Sequence, residues 1–396
     1  MKKPELLAPA GDLEKLKIAL LYGADAVFIG GKAFSLRARA SNFDLDTIKE
    51  AVDFAHERGK KIYVTVNMYP HEEDLEGLES YLKALESIGV DAVIVASHAV
   101  MRAVRNTTGL EIHISTQQSI TNHAAANFLK KKGAERIVLA RELSLDEIEA
   151  LKPKTDLELE VFIHGGMCVS YSGKCTLSNT MTDRDANRGG CAHSCRWHYD
   201  LFKGDIKLNQ DEPFAMASKD LQTVQHISKL IDIGVDSLKI EGRMKSIHYV
   251  ATVVNTYRRL IDDITEDIEP DIPRYLLNIK KAENRLTSDG FMRGMTTIEQ
   301  QLYNLRSEQP TQAFVGIVLD YDKKSHRALI EQRNYFAEGD FLERFSPRRD
   351  LLTFAASNMV SAEGEKIAIA RHPKEKIWVD CPFEVSPYDI LRKVSI

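Results

Sequence analysis

Three times the chain spells Gly-(Ala/Val)-Asp ahead of an apolar run, at Gly23-Ala24-Asp25, Gly89-Val90-Asp91 and Gly234-Val235-Asp236. A fourth site, Gly133-Ala134, begins the same way. Each follows an amphipathic stretch, where glycine readily supplies the left-handed residue that closes a helix. What comes next is a short run of Val, Ile, Leu or Phe, the pattern of a strand buried on both faces. A unit of helix, glycine and buried strand repeated along the chain excludes all-helical and all-β folds. It predicts parallel strands joined by crossover helices.

Counting such runs gives eight strands: Glu5 to Pro9, Ala26 to Gly30, Lys61 to Asn67, Ala92 to Ser97, Glu111 to Thr116, Arg136 to Ala140, Leu157 to His164 and Ser237 to Glu241. The first helix is expected over Leu13 to Tyr22. Eight buried parallel strands fit a (β/α)8 TIM-like barrel better than an open doubly wound sheet. The barrel is expected over residues 1–265, with a long cysteine-rich insert over 165–235 between strands seven and eight. Long inserts in compact domains usually carry function. Residues 266–310 read as a helical linker, and from 311 to 396 short alternating segments such as Phe314 to Leu319 and Ile377 to Val379 predict a small β-barrel-like domain.

Lys and Arg total 53 against 58 Asp and Glu, a net charge of −5, so any nucleic-acid contact must come from a local basic patch. With 43% hydrophobic and 28% charged residues the chain belongs with folded proteins rather than disordered ones. No apolar run approaches the roughly 18 residues of a membrane span, and Met1 to Asp12 is too short an apolar stretch for a signal peptide. A cytoplasmic protein without a membrane partner is expected.

Four of the five cysteines fall in the insert, spaced Cys168-x6-Cys175-x15-Cys191-x3-Cys195. Four thiolates are soft ligands suited to an iron–sulfur cluster or to structural zinc. The absence of a Cys-x2-Cys knuckle tilts the reading to a cluster, with zinc as the alternative. Gly165, Gly166, Gly173, Gly189 and Gly190 surround these cysteines and allow close backbone approach. Cys381 stands apart and reads as a small buried hydrophobe.

Reacting groups in such barrels come from the C-terminal strand ends. There the sequence places Arg37, Arg39, Asn67, Gln117, Arg141 and Glu142, then His164, Glu241, Arg243 and Lys245. The arginines suit a carboxylate or phosphate, which a guanidinium fork grips with two hydrogen bonds. Arg37, Arg39, Asn67, Gln117, Arg141, Arg243 and Lys245 are the candidate substrate-binding set, and His164 and Glu241 the catalytic candidates.

The run Glu160-Val-Phe-Ile-His-Gly-Gly-Met-Cys168-Val-Ser-Tyr-Ser-Gly173-Lys-Cys175, with Pro4-Glu-Leu-Leu-Ala-Pro-Ala-Gly11 near the start, closely resembles the collagenase-like peptidase family U32. Phe34-Ser-Leu-Arg37-Ala-Arg39, Arg184-Asp-Ala-Asn-Arg-Gly-Gly-Cys191-Ala-His-Ser-Cys195 and Ser237-Leu-Lys-Ile-Glu-Gly-Arg-Met-Lys245 resemble its tRNA-hydroxylating branch. That resemblance implies a 4Fe-4S protein acting in oxygen-independent hydroxylation of the wobble uridine of tRNA to 5-hydroxyuridine. The anticodon region of tRNA, prephenate or a related carboxylate, and a paralogous U32 subunit are the implied partners. Relatives that act on an rRNA cytidine or a quinone precursor keep those substrates open.

The competing class is the peptidase of the family's name. A peptidase needs an activated nucleophile, a carboxylate dyad or a catalytic zinc. The chain contains no His-Glu-x-x-His and no Gly-x-Ser-x-Gly.

Overall fold

The computed structural model describes residues 2–36, 42–209, 214–282, 285–302, 313–347 and 351–394. Eight parallel strands form the barrel: β1 (Glu5–Pro9), β2 (Ala26–Gly30), β3 (Lys61–Val66), β4 (Ala92–Val95), β5 (Glu111–Ile114), β6 (Arg136–Val138), β7 (Glu158–Gly165) and β8 (Ser237–Ile240). Each pairs with the next in sequence order, and β8 closes the ring by pairing with β7 on one side and β1 on the other. All eight expected runs are strands. Five end one or two residues early, because the last residues of those runs turn into the loops of the mouth.

The recurring acidic residue has a physical role. Asp25, ahead of β2, accepts a hydrogen bond from the Leu6 amide at the start of β1 at 3.0 Å. Asp91 does the same for Ile62 of β3 at 2.8 Å, Glu135 for Ile112 of β5 at 2.7 Å, and Asp236 for Leu159 of β7 at 3.0 Å. The acid preceding each even-numbered strand therefore satisfies an orphan amide of the odd-numbered neighbour at the closed end of the barrel. Side-chain caps begin the helices at the other end: Asp12, Asp44, Ser97, Asn122, Ser144 and Ser246 each accept a backbone N–H of their helix's first turn.

The closed end is filled by an ionic layer as well as by apolar side chains. Arg136 Nη1 lies 2.5 Å from Glu5 and 3.3 Å from Glu160, and its Nη2 lies 2.7 Å from Glu158. Lys239 Nζ lies 2.6 Å from Glu160, which is wholly buried. Burial opposes ionisation of Glu160, but the Lys239 and Arg136 charges outweigh it and hold the carboxyl below its ordinary range. Leu7, Ala26, Phe28, Tyr63, Ala92 and Ile94 pack as an apolar cluster beside this layer.

Between β7 and β8 the insert holds a short helix, Leu177–Thr182, a small hairpin of Phe202–Lys203 with Ile206–Lys207, and a strand Asp220–Gln222 that runs antiparallel to β7. Thr287–Ser288 pairs with that strand, so residues 285–302 pack with the barrel unit.

The second unit comprises 278–282 and 313–394 of the described residues. Its main sheet is antiparallel, in the order Leu352–Ala355, Phe341–Phe345, Ile390–Lys393, Ala313–Asp322, Arg327–Gln332, Lys376–Asp380 and Val360–Ser361. Cys381 is buried in its core, as expected. Arg344 is buried too, with Nη1 on the Glu384 carbonyl at 3.1 Å. No described helix is long and apolar enough to cross a membrane.

Candidate functional site at the barrel mouth

The end of β7 leads straight into the first cysteine, and glycine makes the passage possible. Gly165 sits at φ +110°, and a Cβ there would run into the Glu241 carbonyl after β8. Gly173, at φ +73°, is pressed against the Gln117 carbonyl after β5 in the same way. These two contacts tie the Cys168–Cys175 segment to two loops of the mouth. The second cysteine pair is fixed by the insert's own helix, where Ser178 Oγ accepts the Ala192 amide at 3.0 Å and Asn179 Oδ1 accepts the Ala186 amide at 3.1 Å.

All four insert cysteines are free thiols; Cys168 and Cys191 are exposed, Cys175 and Cys195 half-buried. Cys195 lies within electrostatic reach of the other three. Surrounding protein raises the Cys195 thiol, and charge on Cys168, Cys191 or Cys175 raises it further, partly offset by Arg196. Cys168 is raised in the same way, with Arg141 opposing and Cys191, Cys175 and Glu241 reinforcing the shift. Among the described residues no three His, Cys, Asp or Glu side chains are gathered tightly enough to hold one metal ion. A single tetrahedral zinc draws its sulfurs to about 2.3 Å from one centre. A four-iron cluster takes one thiolate per iron and spreads its ligands wider. Their all-sulfur donor set is the kind that an iron–sulfur cluster or a zinc ion takes.

Around the thiols stands a cationic rim organised by one carboxylate. Asp220, nearly buried, receives Arg196 Nη2 at 3.4 Å, Arg285 Nη1 at 3.6 Å and Lys245 Nζ at 3.8 Å. Three cations thus converge on one carboxylate at the mouth. Sequence reading placed Lys245 here but missed Arg196, Arg285 and Asp220. Only the adjacency of Arg196 to Cys195 signalled any of the three.

The other candidates separate into roles. Asn67 and Gln117 join the ends of β3 and β5: Asn67 Nδ2 donates to Gln117 Oε1 at 2.7 Å, and Gln117 Nε2 donates to the Asn67 carbonyl at 3.1 Å. Arg243 is buried, sharing its fork between Asn42 Oδ1 at 2.5 Å and Ser35 Oγ at 3.4 Å. Arg37 and Arg39 lie outside the described residues, between those two partners in sequence. Burial raises the Glu142 carboxyl above its ordinary range. His164 is buried between the rings of Tyr249 and Tyr257, with Nδ1 3.3 Å from the Tyr257 hydroxyl, and desolvation with the nearby Lys245 charge pushes it down to about 3. A neutral imidazole at physiological pH follows.

Comparison with known proteins matches the model of peptidase family U32 to residues 11–302, the barrel with its insert. The chain belongs to peptidase family U32. The U32 C-terminal domain model matches residues 310–392. Among U32 relatives, tRNA hydroxylation protein P1 of Bacillus subtilis (strain 168) is 47% identical over 401 residues, covering 99% of this chain and 95% of that protein. The 23S rRNA 5-hydroxycytidine C2501 synthase of Escherichia coli (strain K12) is 43% identical over 263 residues, covering 66% of this chain and 40% of that protein. A protein named collagenase from Porphyromonas gingivalis is 34% identical over 306 residues, 73% of each chain.

Proposed function

We propose that this U32 protein hydroxylates RNA, converting the wobble uridine of tRNA to 5-hydroxyuridine without molecular oxygen. In this reading Cys168, Cys175, Cys191 and Cys195 hold a 4Fe-4S cluster, and prephenate or a related carboxylate is required. The observation that carries the reading is that Arg196, next to Cys195 in the chain, both holds the Met167 carbonyl beside Cys168 and meets Lys245 and Arg285 on Asp220. The names of the tRNA- and rRNA-hydroxylating relatives support the choice of RNA.

When bound, the cluster supplies electron transfer at the mouth. The chain supplies the rest. Lys245 and Arg285 hold an anionic group, either the carboxylate co-substrate or an anticodon phosphate. Arg243 grips Ser35 and Asn42 and so anchors both flanks of the segment carrying Arg37 and Arg39. An unpaired anticodon base leaves its stack for about a few kcal/mol or less, which brings the uracil within reach of the rim.

Metal analysis and visible absorption of anaerobically purified protein test the cofactor. Iron with a broad visible band in the wild type, lost in Cys168→Ala, is expected; stoichiometric zinc without iron in both contradicts it.

The collagenase relative favours a second reading, proteolysis. Against it, the described His164 is buried on Tyr257 rather than paired with a nucleophile. Collagen cleavage by pure, metal-free protein would favour this second reading.

A further inference from the structure

Each of the two carbonyls immediately before Cys168 is held by an arginine from elsewhere in the chain. Arg141 donates Nη1–H to the Gly166 carbonyl at 2.7 Å and lays its guanidinium 3.8 Å from the centre of the Phe162 ring. Arg196 donates Nη2–H to the Met167 carbonyl at 3.4 Å and shares that nitrogen with Asp220. Each arginine then has a buried nitrogen left over. Arg141 Nε and Arg196 Nη1 are shut off from solvent and have no acceptor among the described residues. A buried donor on a charged group is costly without a partner, so two such donors, on arginines that hold neighbouring carbonyls, point to a ligand that brings the acceptors.

We propose that Arg141 and Arg196 are positioning residues for the cluster, donating their spare N–H groups to its sulfurs and raising its reduction potential. This rests on the cluster reading above. Reduction adds negative charge, and fixed positive donors at the sulfurs stabilise the reduced form more than the oxidised one. The guanidinium fork is essential to the arrangement, because one N–H must hold the carbonyl while another reaches a sulfur. A lysine ammonium keeps the charge but lacks that planar spread. A purely bracing role for the two arginines predicts something different: lost iron without a shifted potential in whatever cluster is retained.

The test is a spectroelectrochemical titration of full-length, anaerobically purified protein, with iron counted per chain. The variants are Arg141→Gln, Arg141→Lys, Arg196→Gln and Arg196→Lys, with the exposed, remote Arg58→Gln as reference. Either glutamine variant should keep its iron and lower the reduced-to-oxidised ratio about tenfold at a given potential, a midpoint about 59 mV lower for a one-electron couple. The lysine variants should shift less, and Arg58→Gln not at all. Iron-loaded glutamine or lysine variants with the wild-type midpoint overturn the proposal while leaving the cluster intact. Loss of iron from both variants of each arginine assigns them to bracing and also overturns it. Wild-type protein without iron overturns this inference together with the cluster reading.

Discussion

Gly173 is pressed so closely against the Gln117 carbonyl oxygen that no side chain fits between them, and its φ of +73° would strain any L residue. One backbone contact thus docks the segment between Cys168 and Cys175 onto the loop after β5. Gly173→Ala should undock it, since the left-handed conformation alone costs about 1–2 kcal/mol for a non-glycine residue and the clash adds to that. The expected result is a folded barrel by circular dichroism with sharply reduced iron. Wild-type iron content in Gly173→Ala would show that the contact does not position the cysteines.

His164 gives the fold a pH dependence of known sign. Its folded pKa, about 3, lies below the roughly 6.5 of an unfolded histidine, so between those values the unfolded chain binds the extra proton. This group's contribution to stability is complete above about pH 6.5 and falls as pH drops toward 3, by up to about 1.4 kcal/mol per pH unit. Urea unfolding of wild type and His164→Phe across pH 4 to 7 should give a shallower slope for the variant. Parallel slopes would mean that His164 titrates normally in the fold.

The barrel was legible because the constraint is local and repeated: a glycine closes a helix, an acid follows, and an apolar strand begins. The acid's partner was not legible, since Asp25 reaches Leu6 and Asp236 reaches Leu159 across strand pairs that only the closed sheet creates. The mouth divides in the same way. The cysteines announce themselves by spacing, whereas the rim gathers Arg196, Asp220, Lys245 and Arg285 from four separate segments around one carboxylate. His164 drew attention by standing four residues from Cys168, and only packing between Tyr249 and Tyr257 shows it to be enclosed. In the C-terminal unit the strands Phe341–Phe345 and Ile390–Lys393 went unread, because buried Arg344 and Arg392 break their apolar pattern.

Arg136 is the hinge of the ionic layer at the closed end of the barrel. Arg136→Met removes the cation shared by Glu5, Glu158 and Glu160 and leaves wholly buried Glu160 with Lys239 as its remaining close ion-pair partner. Breaking a buried pair on one side typically costs about 3–5 kcal/mol. A denaturant midpoint lowered to match is expected, with the cysteine insert at the opposite end untouched. An unchanged midpoint would mean that Lys239 alone neutralises the layer.

The cationic rim should show itself in salt dependence. If Lys245 and Arg285 contact RNA phosphates, tRNA binding weakens with added salt, and Lys245→Gln or Arg285→Gln lowers the slope of log affinity against log salt by about one contact. Slopes equal to wild type would move the RNA path away from Asp220 and leave the rim to a small carboxylate.

The central claim is tested most directly by nucleoside mass spectrometry of tRNA from cells lacking this gene and any paralogue, complemented with wild type or Cys191→Ala. The account predicts that 5-hydroxyuridine-type nucleosides vanish in the deletion, return with the wild type and stay absent with Cys191→Ala. Wobble-uridine hydroxylation that persists in the deletion, or returns in full with Cys191→Ala, would contradict it.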